Sequence, residues 1–213
     1  KQEFYSPTMI EFGYPEHAIP HYKIHSHVHP SKLQGDDEYC LLPNFRLPQH
    51  IHSRSANAKW LVEIAHRNPI WIHPKDATKL GVLEGDLLKI ETEIGWFVDK
   101  VWVTESIKPG VVGCSHHIGR WRREQDSGNR FLTNTVDIKN KGNGKWRMST
   151  VKGIQPWKSD DPDTNRIWWR DGGVHQNITH AVQPDPISGA HCWLQKVKLS
   201  KPSLDEKYGD IEV

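Results

Sequence analysis

The stretch "GDLLKIETEIGWFVDKVWVTESIKPGVVG", residues 85–113, does most to limit the fold. Two runs meet at Ile94-Gly95, the second dominated by β-branched and aromatic residues, and a Pro-Gly turn then leads into a third run. Such a pattern predicts a pair of long strands followed by another strand, so the middle of the chain is β-structure. "EYCLLPNFR" (38–46) precedes it as a further strand, and a last strand is expected near 191–199, after the turn "DPISG".

Helices are expected only as short connectors. "NAKWLVEIAHRNP" (57–69) places Trp60, Leu61, Ile64 and Ala65 on one stripe, ended by Pro69. "HPKDATKLGV" (73–82) has Pro74 suited to a first helical position and Gly81 to a C-terminal stop. The order is strand, short helix, short helix, paired strands, strand, long insert, strand. It predicts a mainly β barrel with helical crossovers rather than a parallel α/β sheet.

The expected segments are an extended lead-in (1–36), a first part of the barrel (37–122), a polar insert (123–175), a last part of the barrel (176–200) and a frayed tail (201–213). The lead-in is rich in Pro, His and Gly, and His25, His27 and His29 alternate along it without a Cys, Asp or Glu at ligand spacing. "NKGNGK" and "SDDPDTNR" read as turns in the insert, which is too long for a casual loop. The first residue is Lys1 and no signal pattern follows it, so a piece of a longer chain is expected.

Composition removes several function classes. The 213 residues suffice for one good core, and 28 basic against 26 acidic residues give a net charge of +2. That balance leaves no broad footprint for nucleic acid. Mean hydropathy is -0.70 and no apolar run approaches the roughly 18 residues of a membrane span, so a soluble chain is expected. Cys40, Cys114 and Cys192 are scattered and odd in number, against a disulfide framework and without a C-x-x-C. Ten tryptophans suit amphipathic packing, or docking onto other domains or a flat heterocycle.

Two stretches carry chemistry. "RLPQHIHSRSAN" (46–57) offers Arg46 and Arg54 as bidentate forks and Ser53 and Ser55 as hydroxyls, just before a helix N-terminus. A phosphate or diphosphate fits there; N-capping by Ser55 or Asn57 with surface ion pairs is the plainer alternative. "CSHHIGRW" (114–121) gathers Cys114, His116 and His117. If 110–116 is a strand, Cys114 and His117 face opposite ways, so the three cannot converge on one ion without a bulge, and no protein-bound metal is expected.

Five segments in order carry a resemblance across nearly the whole chain: "KQEFYS", "EYCLLPNFRLPQHIHSRSANAKWL", "NPIWIHPKDATKLGVLEGDLLKIETEIG", "KPGVVGCSHHIGRW" and "HQNITHAVQPDPISGAHCWLQKVKL". Together they resemble the C-terminal molybdopterin-dinucleotide-binding domain of the dimethyl-sulfoxide-reductase-like molybdenum and tungsten oxidoreductases. The group includes formate dehydrogenases and nitrate, arsenate and polysulfide reductases.

The resemblance implies a six-stranded double-psi β-barrel with a long irregular insert, closing over one pyranopterin of a bis-molybdopterin guanine dinucleotide that holds Mo or W. It implies that the metal's protein ligand and any iron–sulfur cluster come from preceding catalytic domains, with electron-transfer subunits as further partners and no membrane insertion. By position, Arg46, Leu47, His50, Arg54 and Ser55 match one cofactor-contacting loop. His116, His117 and Gly119 match a second, and Asn177 matches the polar position ahead of the "DP" turn. Many relatives carry a long polar residue near Trp193, where this chain has Gln195 and Lys196 just after. Cys114 lies outside the place of the family's metal ligand. A non-redox docking barrel and a small histidine-ligated metalloenzyme are the rival readings.

Overall fold

The structure is a computed structural model that describes residues 4–19, 32–33, 35–43, 47, 51–52, 61, 64–65, 67–119, 136–150, 173–182, 184, 189–191 and 193–213. The chain divides into two compact units, 1–34 and 35–213. In the first, helix α1 (Pro7–Glu11) starts on a proline, whose missing N–H costs nothing at that position. Gly13, at φ 83°, turns the chain into a 3₁₀ turn at Pro15–His17, and Ser6 N–H reaches back to the Ala18 carbonyl at 2.8 Å.

The second unit is built on strands β1 (Glu38–Leu42), β2 (Ile70–Ile72), β3 (Leu87–Glu91), β4 (Trp96–Val103), β5 (Val111–Gly113), β6 (Val136–Gly142), β7 (Lys145–Thr150), β8 (Gln195–Ser200) and β9 (Ile211–Glu212). Their order is β2-β5-β1-β8-β3-β4-β9-β7-β6, and β2 also pairs with β4. That last pairing closes β2, β5, β1, β8, β3 and β4 into a six-stranded barrel. Two of its pairings, β1–β5 and β2–β4, are parallel. Closure removes the unpaired edges an open sheet of these strands would present.

Period-two alternation drives the closure. β8 alternates buried and exposed residue by residue, and Leu88 and Ile90 of β3 turn inward. With Leu41, Ile70, Ile72, Phe97, Val112 and Leu199 they form one core cluster. Helix α2 (Pro74–Leu80) crosses between β2 and β3, with Pro74 in its first turn and Gly81 at φ 64° as its left-handed stop. Its Asp76 carboxylate accepts the Gly110 N–H at 2.8 Å, pinning the Pro-Gly turn that leads into β5.

Several expectations need correction. The strand at 38–46 ends at Leu42, and the last one starts at Gln195 rather than 191. β2 was not expected, because three residues between Pro69 and Pro74 carry no readable period. The insert is not wholly irregular: β6 and β7 form a hairpin turning at Asn143-Gly144. Nor is 201–213 a frayed tail. β9 pairs with both β4 and β7, and Asp210 and Ile211 are buried. The helix expected at 57–69 lies largely outside the described residues.

Candidate functional site

Past β5 the chain leaves strand geometry. β5 stops at Gly113, so the face alternation expected for Cys114, His116 and His117 gives way to a turn at His116-His117. Cys114 is fully buried, its Sγ donating to the Asn68 carbonyl at 3.1 Å. Burial pushes its thiol pKa well up, so it stays protonated.

The two histidines instead meet a partner from a distant loop. The His52 and His117 rings stack at 4.5 Å and 22°, and His116 lies 4.9 Å from His52 and 4.2 Å from His117. On its other side His116 stacks on Trp193 at 5.1 Å and 25°, and Trp193 meets the edge of His191 at 4.8 Å. His116 is fixed by the Pro43 carbonyl, which accepts its backbone N–H at 3.0 Å and lies 2.8 Å from Nδ1. His52 holds φ at 48°, a conformation uncommon for a residue with a side chain.

Ligand nitrogens of His52, His116 and His117 all lie within 4.8 Å of one another, a spacing that raises the question of a metal. The same rings also present flat faces, His52 lying against His117 at 4.5 Å and 22°, and such faces suit an aromatic heterocycle.

Segment 173–182 packs against this turn. Asn68, itself buried, donates through Nδ2 to the Ser115 carbonyl at 2.7 Å and the Val174 carbonyl at 2.9 Å, and its Oδ1 accepts Val174 N–H at 2.8 Å. Gly119, at φ 103°, sits so close that a Cβ there would come within 2.4 Å of the Val174 carbonyl oxygen. Asn177 Nδ2 donates to the His116 carbonyl at 3.5 Å, while its Oδ1 is buried without a hydrogen-bond partner among the described residues. His180 is pushed down to about 4 by burial first and then by His116, His191 and His175, so it is neutral near pH 7. Burial also lowers His175, against a contact of its Nδ1 with the Gly119 carbonyl.

Among the sequence-derived candidates, the structure thus brings together His116, His117, Gly119 and Asn177. Gln195 is buried at the start of β8, donating to the Ala181 carbonyl at 3.4 Å. Lys196, its neighbour, must face the other way, and pairs there with Glu38 at 2.8 Å. Leu47 is buried in the apolar interior. Arg46, His50, Arg54 and Ser55 lie outside the described residues, as do His25, His27 and His29. Asn68, His52, Trp193 and His180 were not singled out, since their roles depend on contacts between segments far apart in sequence.

A barrel with a polar, ring-lined turn at 114–119 and an overlying segment at 173–182 invites comparison with known cofactor-binding folds. Residues 41–144 match the family described as "Molydopterin dinucleotide binding domain". This stretch belongs to that family. Trimethylamine-N-oxide reductase of Haemophilus influenzae is 32% identical over 103 residues, covering 45% of this chain and 12% of the reductase. Dopamine dehydroxylase of Eggerthella lenta is 27% identical over 168 residues, 76% of this chain and 15% of that protein. Acetylene hydratase from Pelobacter acetylenicus shares the fold at TM-score 0.55 and 16% identity, over 93% of this chain and 23% of that one.

The chain therefore spans a small fraction of its relatives, and its function is that of a molybdopterin-binding domain. The residues present suit such a group: the rings of His52, His116, His117 and Trp193 offer flat surface, and Asn177 Oδ1 is a buried acceptor with no hydrogen-bond partner among the described residues. No helix of the described residues is long and apolar enough to cross a membrane.

Proposed function

We propose that the barrel, built from 37–122 and 176–200 around the 123–175 insert, clasps one pyranopterin of a bis-molybdopterin guanine dinucleotide carrying Mo or W. The parent protein is then an oxidoreductase whose preceding domains supply the metal's protein ligand and any iron–sulfur cluster, with electron-transfer subunits beyond. Carrying the reading is one observation, the joining of His116, His117, Gly119 and Asn177 at one turn of a barrel whose residues 41–144 belong to the molybdopterin-binding family. A trimethylamine-N-oxide reductase and a formate dehydrogenase among the relatives support redox chemistry in the whole protein.

In this reading the bound cofactor supplies the redox chemistry, and the chain's own residues bind and orient it. Rings of His116 and His117 pack against the heterocycle, and Asn177 Oδ1 accepts one of its N–H groups. Gly119 permits the approach of backbone that a side chain would block. Gln195 supports the 173–182 segment from below. Arg46, His50, Arg54 and Ser55 supply, from one stretch of sequence, the guanidinium, imidazole and hydroxyl groups that meet the diphosphate in this reading. No residue here is assigned to bond making, so the chain alone turns nothing over.

The guanidinium groups give the test. Arg54→Ala in the full enzyme should lower cofactor occupancy more than turnover per Mo or W atom, measured by metal analysis beside activity. Full metal content with lost activity would contradict the assignment.

A further inference from the structure

Residues 176–180 hold four buried side-chain polar atoms with no hydrogen-bond partner among the described residues: Gln176 Nε2, Gln176 Oε1, Asn177 Oδ1 and His180 Nε2. Gln176 is the extreme case, with no exposed surface and neither end of its carboxamide paired. Leaving such groups unsatisfied is costly, and a leucine or methionine of similar volume would avoid the cost. Satisfied native interiors rarely tolerate several such atoms side by side.

The backbone does not compensate. Gln176 N–H already donates to the Val174 carbonyl at 3.0 Å, and its carbonyl accepts the Thr179 hydroxyl at 2.7 Å. Both bonds fix the segment and leave the carboxamide as an unused donor beside an unused acceptor. At the very next residue, Asn177 ties to the carbonyl of His116, whose ring lies among the flat surfaces.

A planar donor–acceptor pair is matched by a lactam edge, a ring C=O next to a ring N–H. Glutamine reads nucleobase edges in the same two-bond manner. Resting on the reading of this chain as a molybdopterin-binding domain, we propose that Gln176 pairs through both carboxamide atoms with the 2-amino-4-oxopyrimidine edge of the cofactor. Pterin and guanine share that edge. Because Gln176 has no exposed surface, the 173–182 segment opens to admit the ring and closes over it.

The proposal predicts opposite effects on the empty and loaded protein, which a merely structural glutamine would not give. The experiment uses the full enzyme with Gln176→Met, and Gln176→Leu as a second apolar variant. Cofactor retained per polypeptide is measured as pterin fluorescence after acid oxidation, and hydrogen exchange of amides 173–182 is followed in cofactor-free protein. Expected are a loss of retained cofactor of about tenfold or more and exchange at 173–182 no faster than in the wild type.

Titration of cofactor-free enzyme with guanosine diphosphate and, separately, neopterin identifies the ring. Selective weakening of the first assigns Gln176 to guanine, and of the second to pterin. A variant that keeps wild-type protection at 173–182 and also wild-type cofactor content and affinity for both probes overturns the proposal, while leaving the domain's function standing. Wild-type enzyme that yields no pterin overturns both.

Discussion

His180 sits at about 4 because burial and three neighbouring imidazoles oppose its protonation, whereas in the unfolded chain it titrates near 6.5. Between those values the unfolded state binds more protons than the folded one. Stability is therefore full above about pH 6.5, falls as pH drops toward 4, and loses roughly 3 kcal/mol from this residue by the end of that window. Urea unfolding followed by tryptophan fluorescence should show the fall, and His180→Asn should flatten it; an unchanged slope would assign the loss to other groups. His116, His117, Gly119 and Asn177 were legible as candidates because each lies in a distinctive local stretch, and the structure brings them together. His52, Trp193 and Asn68 were not, since a ring stack at 4.5 Å or a bond from residue 68 to residue 174 leaves no trace in either stretch alone. Folding divides the "CSHHIGRW" stretch in a way its letters do not show: Cys114 turns inward onto Asn68, and His52 arrives beside His116 and His117.

At the level of elements, strand length decided what could be read. β3 and β4 run for five and eight residues, β3 with a clear alternation and β4 as a run of β-branched and aromatic residues, while β2 has three residues and β9 has two. Elements so short exist because of their partners. β9 is held by Trp96 and Phe97 on one side and Arg147 and Met148 on the other. Around it, Lys89 and Arg147 approach the Trp96 ring at 4.3 and 5.1 Å, and their charges are met by Glu206 and Asp210 at 2.5 Å each. The segment expected to fray is thus bonded into the sheet. Ile211→Ala should cost about 2–4 kcal/mol in the midpoint of chemical unfolding, the usual range for emptying a buried aliphatic site. A change within 0.5 kcal/mol, normal for a surface position, would restore the picture of a loose end.

For the molecule as a whole, the barrel was legible as a class because long alternating strands, short crossovers and Pro-Gly turns agree with one another. The resemblance also implied a closed ring of six strands, but the strands that close it were not legible, since closure depends on β2 reaching β4 in parallel register from Ile70 opposite Val101 to Ile72 opposite Val103. Six strands joined in a ring should open together. Native-state hydrogen exchange is expected to find the amides of β1, β3, β4 and β8 the slowest and of similar free energy, with the β6–β7 hairpin exchanging earlier because β9 is its link to the ring. Uniform protection across hairpin and ring would show one cooperative unit instead. The order of strands also leaves β6 outermost, paired with β7 alone among the described strands. Lys139, Asn140 and Lys141 stand exposed along it, and a bulge interrupts its register beyond Asn140. Charge and irregularity on an outer strand discourage a second copy from adding itself there. Among the described strands, the outer edge that the ring leaves over is thereby guarded against self-association.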